Sequence, residues 1–156
     1  MASAGVTKTT TIFHLDGKRF LGRTPDGQQL MIDGESYAKT GMNPMEVLLN
    51  ALGACSAFDV VGMIRKRRLD LVAYRVELEG DRAHGTPSPY TEIRAVHYIN
   101  APGLKQVMAE RFVDLATNKY CSVASSLTAD IGFTVVLEHQ SDDGDDQDGS
   151  GAPAGS

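Results

Sequence analysis

A chain of 156 residues that is 42% hydrophobic and 22% charged has the length and composition of one globular domain with its own core. Its net charge of −5 is misleading: Asp142, Asp143, Asp145, Asp146 and Asp148 sit in the last stretch, and the other acidic residues balance the fifteen Lys and Arg. A neutral body argues against nucleic acid as a partner, and no apolar run approaches the ~18 residues that suggest a membrane span.

The N-terminus "MASAGVTKTT" has no apolar signal core, which predicts a cytoplasmic protein. "TTTIFHLDG" and "KRFLGRT" read as strands joined in a hairpin at Asp16-Gly17, and "PDG" at 25–27 turns into a third strand, "QQLMID". A helix starts sharply at "MNPMEVLL": Asn43 can cap, Pro44 suits the first helical position, and Glu46 sits where a capping box places its carboxylate. The helix is predicted to run to about Arg68, with "RKRR" at its negative end. "LVAYRVELEG" alternates Tyr74, Val76 and Leu78 against Arg75, Glu77 and Glu79, the pattern of a strand with one wet face. "YTEIRAVHYIN" is a further strand. "APGLKQVMAERFVDLATNKY" has helical spacing, "CSVASSLTA" is a short helix beginning near Cys121, and "IGFTVVLEH" closes the fold as a strand. Strands and helices do not alternate singly, which favours α+β over a parallel α/β sheet. Residues 1–139 read as one domain, and the acidic Gly/Ser/Asp-rich residues 140–156 as a disordered, solubilising tail.

The chain has two cysteines, Cys55 and Cys121. In a cytoplasmic protein a structural disulfide is disfavoured, which leaves redox or nucleophilic chemistry, or plain burial. Cys55 lies in "NALGACSAFDVVGMI", a helix of small residues that other backbones can approach closely. Its face holds Leu48, Ala51, Leu52, Asp59 and Gly62. In one reading Cys55 is a small hydrophobe of the core. In the other, Asp59, one turn further on, gives the thiol a chemical setting. A carboxylate in an apolar helix needs a partner; unpaired it opposes a thiolate, whereas by holding an arginine near the sulfur it supports one. Cys55 is too far from its own helix N-terminus to be activated by the dipole, but Cys121 stands at the start of a helix. If the fold brings the two together, one thiol can attack an oxidant and the other can resolve the sulfenic acid into a disulfide.

"NPMEVLLNALGACSAFDVV" and "KYCSVASSL", in this order and with the elements between them, resemble the OsmC/Ohr family of osmotically inducible and organic-hydroperoxide-resistance proteins, over roughly residues 7–139. Within it they look closest to the YhfA-type branch. The resemblance implies an OsmC-like α+β fold: an N-terminal sheet, a central helix carrying Cys55, a second sheet and further helices, in an intertwined homodimer with active sites at the interface. It implies a thiol-dependent peroxidase that reduces organic hydroperoxides, with Cys55 peroxidatic, Cys121 resolving and a dithiol, possibly lipoyl-type, as reductant. No metal or bound organic cofactor is needed, because sulfur does the redox chemistry.

The chain departs from the family pattern in two places. The glutamate ten residues before the peroxidatic cysteine is here Met45, and Glu46, one residue later, points about 180° away from Cys55. Glu46 is therefore a helix cap first and a catalytic partner second, and Asp59 is expected to replace the missing glutamate as the arginine's holder. The proline after the resolving cysteine is Ser122, which still suits a helix start. The family's arginine comes from the N-terminal strands, where Arg19 is the first choice by loop position and Arg23 the second, with Lys18 nearby. His14, His84, His97 and His139 are scattered without metal-ligand spacing. Two other readings stay open: a non-catalytic dimer of this fold binding a small apolar ligand, and a thiol-disulfide oxidoreductase without peroxidase activity.

Overall fold

Hairpin chemistry builds the first sheet. β1 (Thr11–Asp16), β2 (Arg19–Arg23) and β3 (Gln29–Asp33) pair antiparallel in that order. The β1–β2 turn requires Gly17 at φ +49°, and the next turn takes Gly27 at φ +93°. The computed structural model that shows this describes residues 5–139, so the acidic tail lies outside the described residues. This sheet has little to lean on. Every residue of β1 is exposed, with Ile12, Phe13 and Leu15 among them. It meets the rest of the chain where β3 passes the start of the long helix, through the Ile32–Met42 bridge and the Asp33 N–H to Met42 carbonyl bond of 2.9 Å.

The long helix, α1 (Pro44–Lys66), begins with a complete capping box. Asn43 Oδ1 accepts the N–H groups of Met45 and Glu46, both at 3.0 Å, and Glu46 Oε2 accepts the Asn43 N–H at 2.9 Å. Arg65 and Lys66 occupy its last turn, as the macrodipole favours. Gly53 lets α1 lie close on the second sheet: a Cβ there would meet Leu78 Cδ1 at 2.7 Å. By length and composition alone α1 is long and apolar enough to cross a bilayer, a test that the core helix of a globular protein also passes. Asn50, Ser56 and Asp59 break the continuous run without lowering the helix's average enough to fail that test. Only 28% of its apolar window is buried inside the chain, and Phe58 is 76% exposed.

β4 (Ala73–Arg82), β5 (Tyr90–Asn100) and β6 (Asp130–Leu137) form the second sheet with β5 in the middle. β4 pairs antiparallel to β5, and β6 parallel to it. The outer face is polar, carrying Arg94 beside Glu79, Asp81 and Glu92, and Arg75 over the Tyr98 ring at 3.8 Å. The inner face of β5 presents Ile93, Ala95, His97 and Ile99 to the helices, all buried. Two apolar clusters form against it. One joins Val60 and Ile64 of α1 with Ile99, Val135 and the helix α2 (Gln106–Asp114) through Ala109, Phe112 and Val113. The other joins Leu52 with Tyr90, Ile93 and Cys121.

The helix predicted to continue to Tyr120 does not do so as an α-helix. After α2, Leu115–Tyr120 form a π-helical turn, closed by the Cys121 N–H to Ala116 carbonyl bond at 2.9 Å. The wider turn buries Ala116 and Thr117 side by side and carries the chain to the short helix α3 (Ser122–Ser125).

Candidate active site

The π turn delivers Cys121 to the middle of α1. Cys55 packs against the cluster that contains Cys121, so the fold brings the two thiols into one neighbourhood. Both are free, Cys55 half-buried and Cys121 only 4% exposed. Sixty-odd residues of separation have been closed by two independent devices: small residues on α1 and the π turn. Cys121 is itself the cap of α3, its Sγ accepting the Ala124 N–H at 3.3 Å. Burial pushes the Cys121 thiol up from its ordinary value, the Ala124 and Val123 N–H groups oppose this, and the neighbouring Cys55 adds to the rise. Cys121 therefore sits as a protonated thiol, which suits a group that waits for a sulfenic acid rather than one that attacks first. Around the pair, Met45, Leu48, Leu49, Leu78, Val123 and Leu127 make an apolar wall.

Arg19 is held in the first sheet. Its Nε donates to Asp33 Oδ2 at 3.2 Å, one terminal nitrogen to Asp16 Oδ2 at 3.2 Å, and the other to the Ala38 carbonyl at 3.0 Å. Asp33 has no exposed surface. It accepts the Thr40 N–H at 2.7 Å, the Glu35 N–H at 2.8 Å and the Thr40 hydroxyl at 3.0 Å. These donors, the Thr40 N–H foremost, hold its carboxyl well below the usual carboxylate range against the cost of burial. The Asp33 hydrogen bond in turn raises the Arg19 guanidinium. Within the chain, then, the carboxylate that holds the arginine is Asp33 and not Asp59. Asp59 is half-buried and makes no ion pair among the described residues. The reason is topological: α1 and β2 are separate layers, whereas Arg19 and Asp33 are direct partners across the β2–β3 ladder. That register was legible once both strands had been placed, and Asp33 was the residue missed.

The other candidates fall away from the thiols. Glu46 spends its carboxylate on the Asn43 N–H, as a cap. Arg23 is exposed and forms no ion pair among the described residues. Lys18 contributes its backbone N–H to Glu35 Oε1 at 2.7 Å. Among the described residues, no group of three His, Cys, Asp or Glu is placed to hold a metal.

One polar pair escaped the sequence. His97, with no exposed surface, meets the Tyr74 hydroxyl through Nδ1 at 2.7 Å. Its Nε2 and the Thr117 hydroxyl are buried without a partner among the described residues. Burial pushes His97 down to about 4 and raises Tyr74, so both stay neutral. The tautomer sets which of the two donates in this bond, the Tyr74 hydroxyl to Nδ1 or Nδ1–H to the hydroxyl oxygen. His97 stands on β5 between Ile93 of the cysteine cluster and Ile99 of the other, just as Ser56 stands on α1 between Leu52 and Val60.

Comparison with known proteins fits this architecture. Residues 35–136 match the OsmC-like protein family. Protein YhfA of Escherichia coli K12 is 38% identical over 124 residues, covering 80% of this chain and 92% of its own length. A hypothetical protein from Aquifex aeolicus superposes with a TM-score of 0.71 at 28% identity, over 86% of this chain and all of its own. An organic hydroperoxide resistance protein from Legionella pneumophila shares the fold with a TM-score of 0.60 at 15% identity, over 86% and 98% of the two chains. The neighbours include organic hydroperoxide resistance and redox proteins. The family match over residues 35–136 and the 38% identity to YhfA show that this chain belongs to the OsmC-like protein family.

Proposed function

We propose that the protein is a thiol-dependent peroxidase for organic hydroperoxides. The observation that carries this is the packing of Cys55 against the cluster that holds Cys121, across 66 positions of sequence. The Cys55 thiolate attacks the outer peroxide oxygen; the O–O bond breaks, the alkoxide takes a proton and leaves as the alcohol, and Cys55 becomes a sulfenic acid. The Cys121 thiol attacks that sulfur, a water leaves, and a disulfide remains. A dithiol, possibly lipoyl-type, returns the pair to the reduced state. The apolar wall of Met45, Leu48 and Leu127 favours an alkyl chain over a bare hydroperoxide.

The acting species is a cytoplasmic homodimer of a single domain spanning residues 1–139. A three-stranded sheet standing off the body, with Ile12, Phe13, Leu15 and Leu30 exposed, does not hold its shape in isolation. Neither does a largely uncovered apolar helix. A second copy covers both, and brings Arg19 or Arg23 of one protomer toward Cys55 of its partner, where a cation favours the thiolate. Asp33 then serves as the holder of Arg19.

One observation favours a second reading. Arg19 already has Asp33, Asp16 and the Ala38 carbonyl as partners. If none is released, the site is an apolar pocket with idle thiols and the dimer binds a small apolar ligand.

Intact-mass spectrometry separates the two. Reduced protein is mixed with one equivalent of tert-butyl hydroperoxide and sampled within seconds, beside Cys55→Ser and Cys121→Ser. The peroxidase loses two hydrogens in the wild type and in neither variant, and forms a sulfenic adduct only in Cys121→Ser. Unchanged wild-type mass over minutes refutes the peroxidase and leaves the ligand-binding reading.

A further inference from the structure

An oxidised thiol pair must be reduced before it can act again, and its two sulfurs are not equally placed for that. Cys121 forms part of the wall of a cavity of about 360 Å³; Cys55 does not. The remaining walls come from the π turn, from α3 and from the start of β6, with Lys119, Ser122, Ser125, Ala129 and Asp130 among them. We propose that this cavity is the reductant's route to the disulfide, and that a small dithiol entering it attacks Sγ of Cys121 rather than Cys55. The proposal rests on the redox reading above and says where the second half of the cycle happens.

The step is a thiol-disulfide exchange. The reductant's thiolate forms a bond to Cys121 Sγ, the Cys55–Cys121 bond breaks, and Cys55 departs with the electron pair as a thiolate. The reductant's second thiol then attacks its own sulfur in the mixed disulfide. Cys121 leaves and takes up the proton, and the reductant closes into a cyclic disulfide. Two electrons pass from the dithiol to the protein, and the pair is ready for the next peroxide.

One further feature fits attack at Cys121. The sulfur is held in place on this cavity-lining residue, by the Ala124 N–H on Sγ and by the Cys121 N–H on the Ala116 carbonyl. The same confinement selects a dithiol over a monothiol. With Cys121 only 4% exposed, a first adduct fills the way in, and a second molecule cannot reach it. A second thiol on the same molecule needs no further approach.

The test starts from disulfide made with diamide, so that it does not depend on peroxide. Oxidised full-length protein is exposed to 2-mercaptoethanol for seconds, quenched with iodoacetamide and digested. The expected result is the mercaptoethanol mass on Cys121 with carbamidomethyl on Cys55. The reverse labelling overturns the proposal while leaving the peroxidase reading intact. If diamide closes no Cys55–Cys121 disulfide, the redox reading fails and this one with it. In a second measurement, Ser125→Trp narrows the cavity from an exposed position. Reduction by dihydrolipoamide is expected to slow at least about tenfold; a wild-type rate in a variant with native circular dichroism overturns the route.

Discussion

His97 offers the sharpest quantitative handle on the core. The ring is fully buried on the central strand, bonded through Nδ1 to Tyr74, and pushed down to about 4 by burial. In the unfolded chain it titrates near 6.5. A histidine whose folded value is depressed is protonated first in the unfolded state. Its contribution is therefore intact above pH 6.5 and drains away as the pH falls toward 4. The drop from 6.5 to about 4 corresponds to about 3 kcal/mol in full, of which about 2.5 kcal/mol is lost between pH 7.5 and 4.5. The comparison is with the double variant Tyr74→Phe/His97→Leu, which removes both polar partners and strands neither. Urea unfolding of the two proteins at one fixed concentration, followed by circular dichroism at pH 7.5, 6.0 and 4.5, gives the difference in unfolding free energy. That difference should move by about 2–3 kcal/mol in the variant's favour across this range. A difference independent of pH would refute the burial argument for His97.

Other substitutions probe the elements that set the site. Asn43→Ala removes the acceptor for two α1 N–H groups and should cost about 1 kcal/mol, read as a fall in Tm by calorimetry. Gly53→Val drives methyl groups into Leu78 and should cost about 1–3 kcal/mol by the same measurement. Asp33→Asn removes an acceptor of four hydrogen bonds, Arg19 among its donors. Its folded carboxyl is depressed, so the stability it supplies is present above about pH 3.9 and is lost as the pH falls below that. The gap between wild type and variant should accordingly narrow in strong acid, as followed by fluorescence or circular dichroism. Ile12→Ser/Leu15→Ser should weaken the proposed dimer, seen as a shift toward monomer in sedimentation velocity at micromolar concentration.

Local chemistry explains what could be read from sequence and what could not. α1 announced itself because Asn43, Pro44 and Glu46 make a capping box whose parts are contiguous, and the structure uses each of them. β4 was equally plain, since alternation over Tyr74, Val76 and Leu78 has no helical competitor. The parallel pairing of β6 with β5 left no trace, because pairing direction is a property of the path between strands and not of either strand. The π turn was invisible for a related reason: Leu115, Ala116 and Thr117 continue a helical pattern, and only the Ala116–Cys121 bond shows that one residue too many has been wound in.

The assignment of the arginine's holder turns on the same distinction. Asp59 was attractive because it shares a helix face with Cys55, a relation that numbering alone provides. Asp33 was harder to see because it reaches Arg19 across a ladder, and a one-residue error in register would have turned it to the other face. Yet Asp33 is the more consequential carboxylate. It ties β3 to β2 through Arg19, and both to the loop before α1 through Thr40. On the proposed peroxidase reading, the cation that assists Cys55 comes either from an Arg19 that keeps Asp33 while leaving Asp16 and Ala38, or from Arg23, which makes no ion pair among the described residues. The two routes differ in one measurable respect. Asp33→Asn should slow oxidation of Cys55 by peroxide if Arg19 serves, and leave it unchanged if Arg23 does.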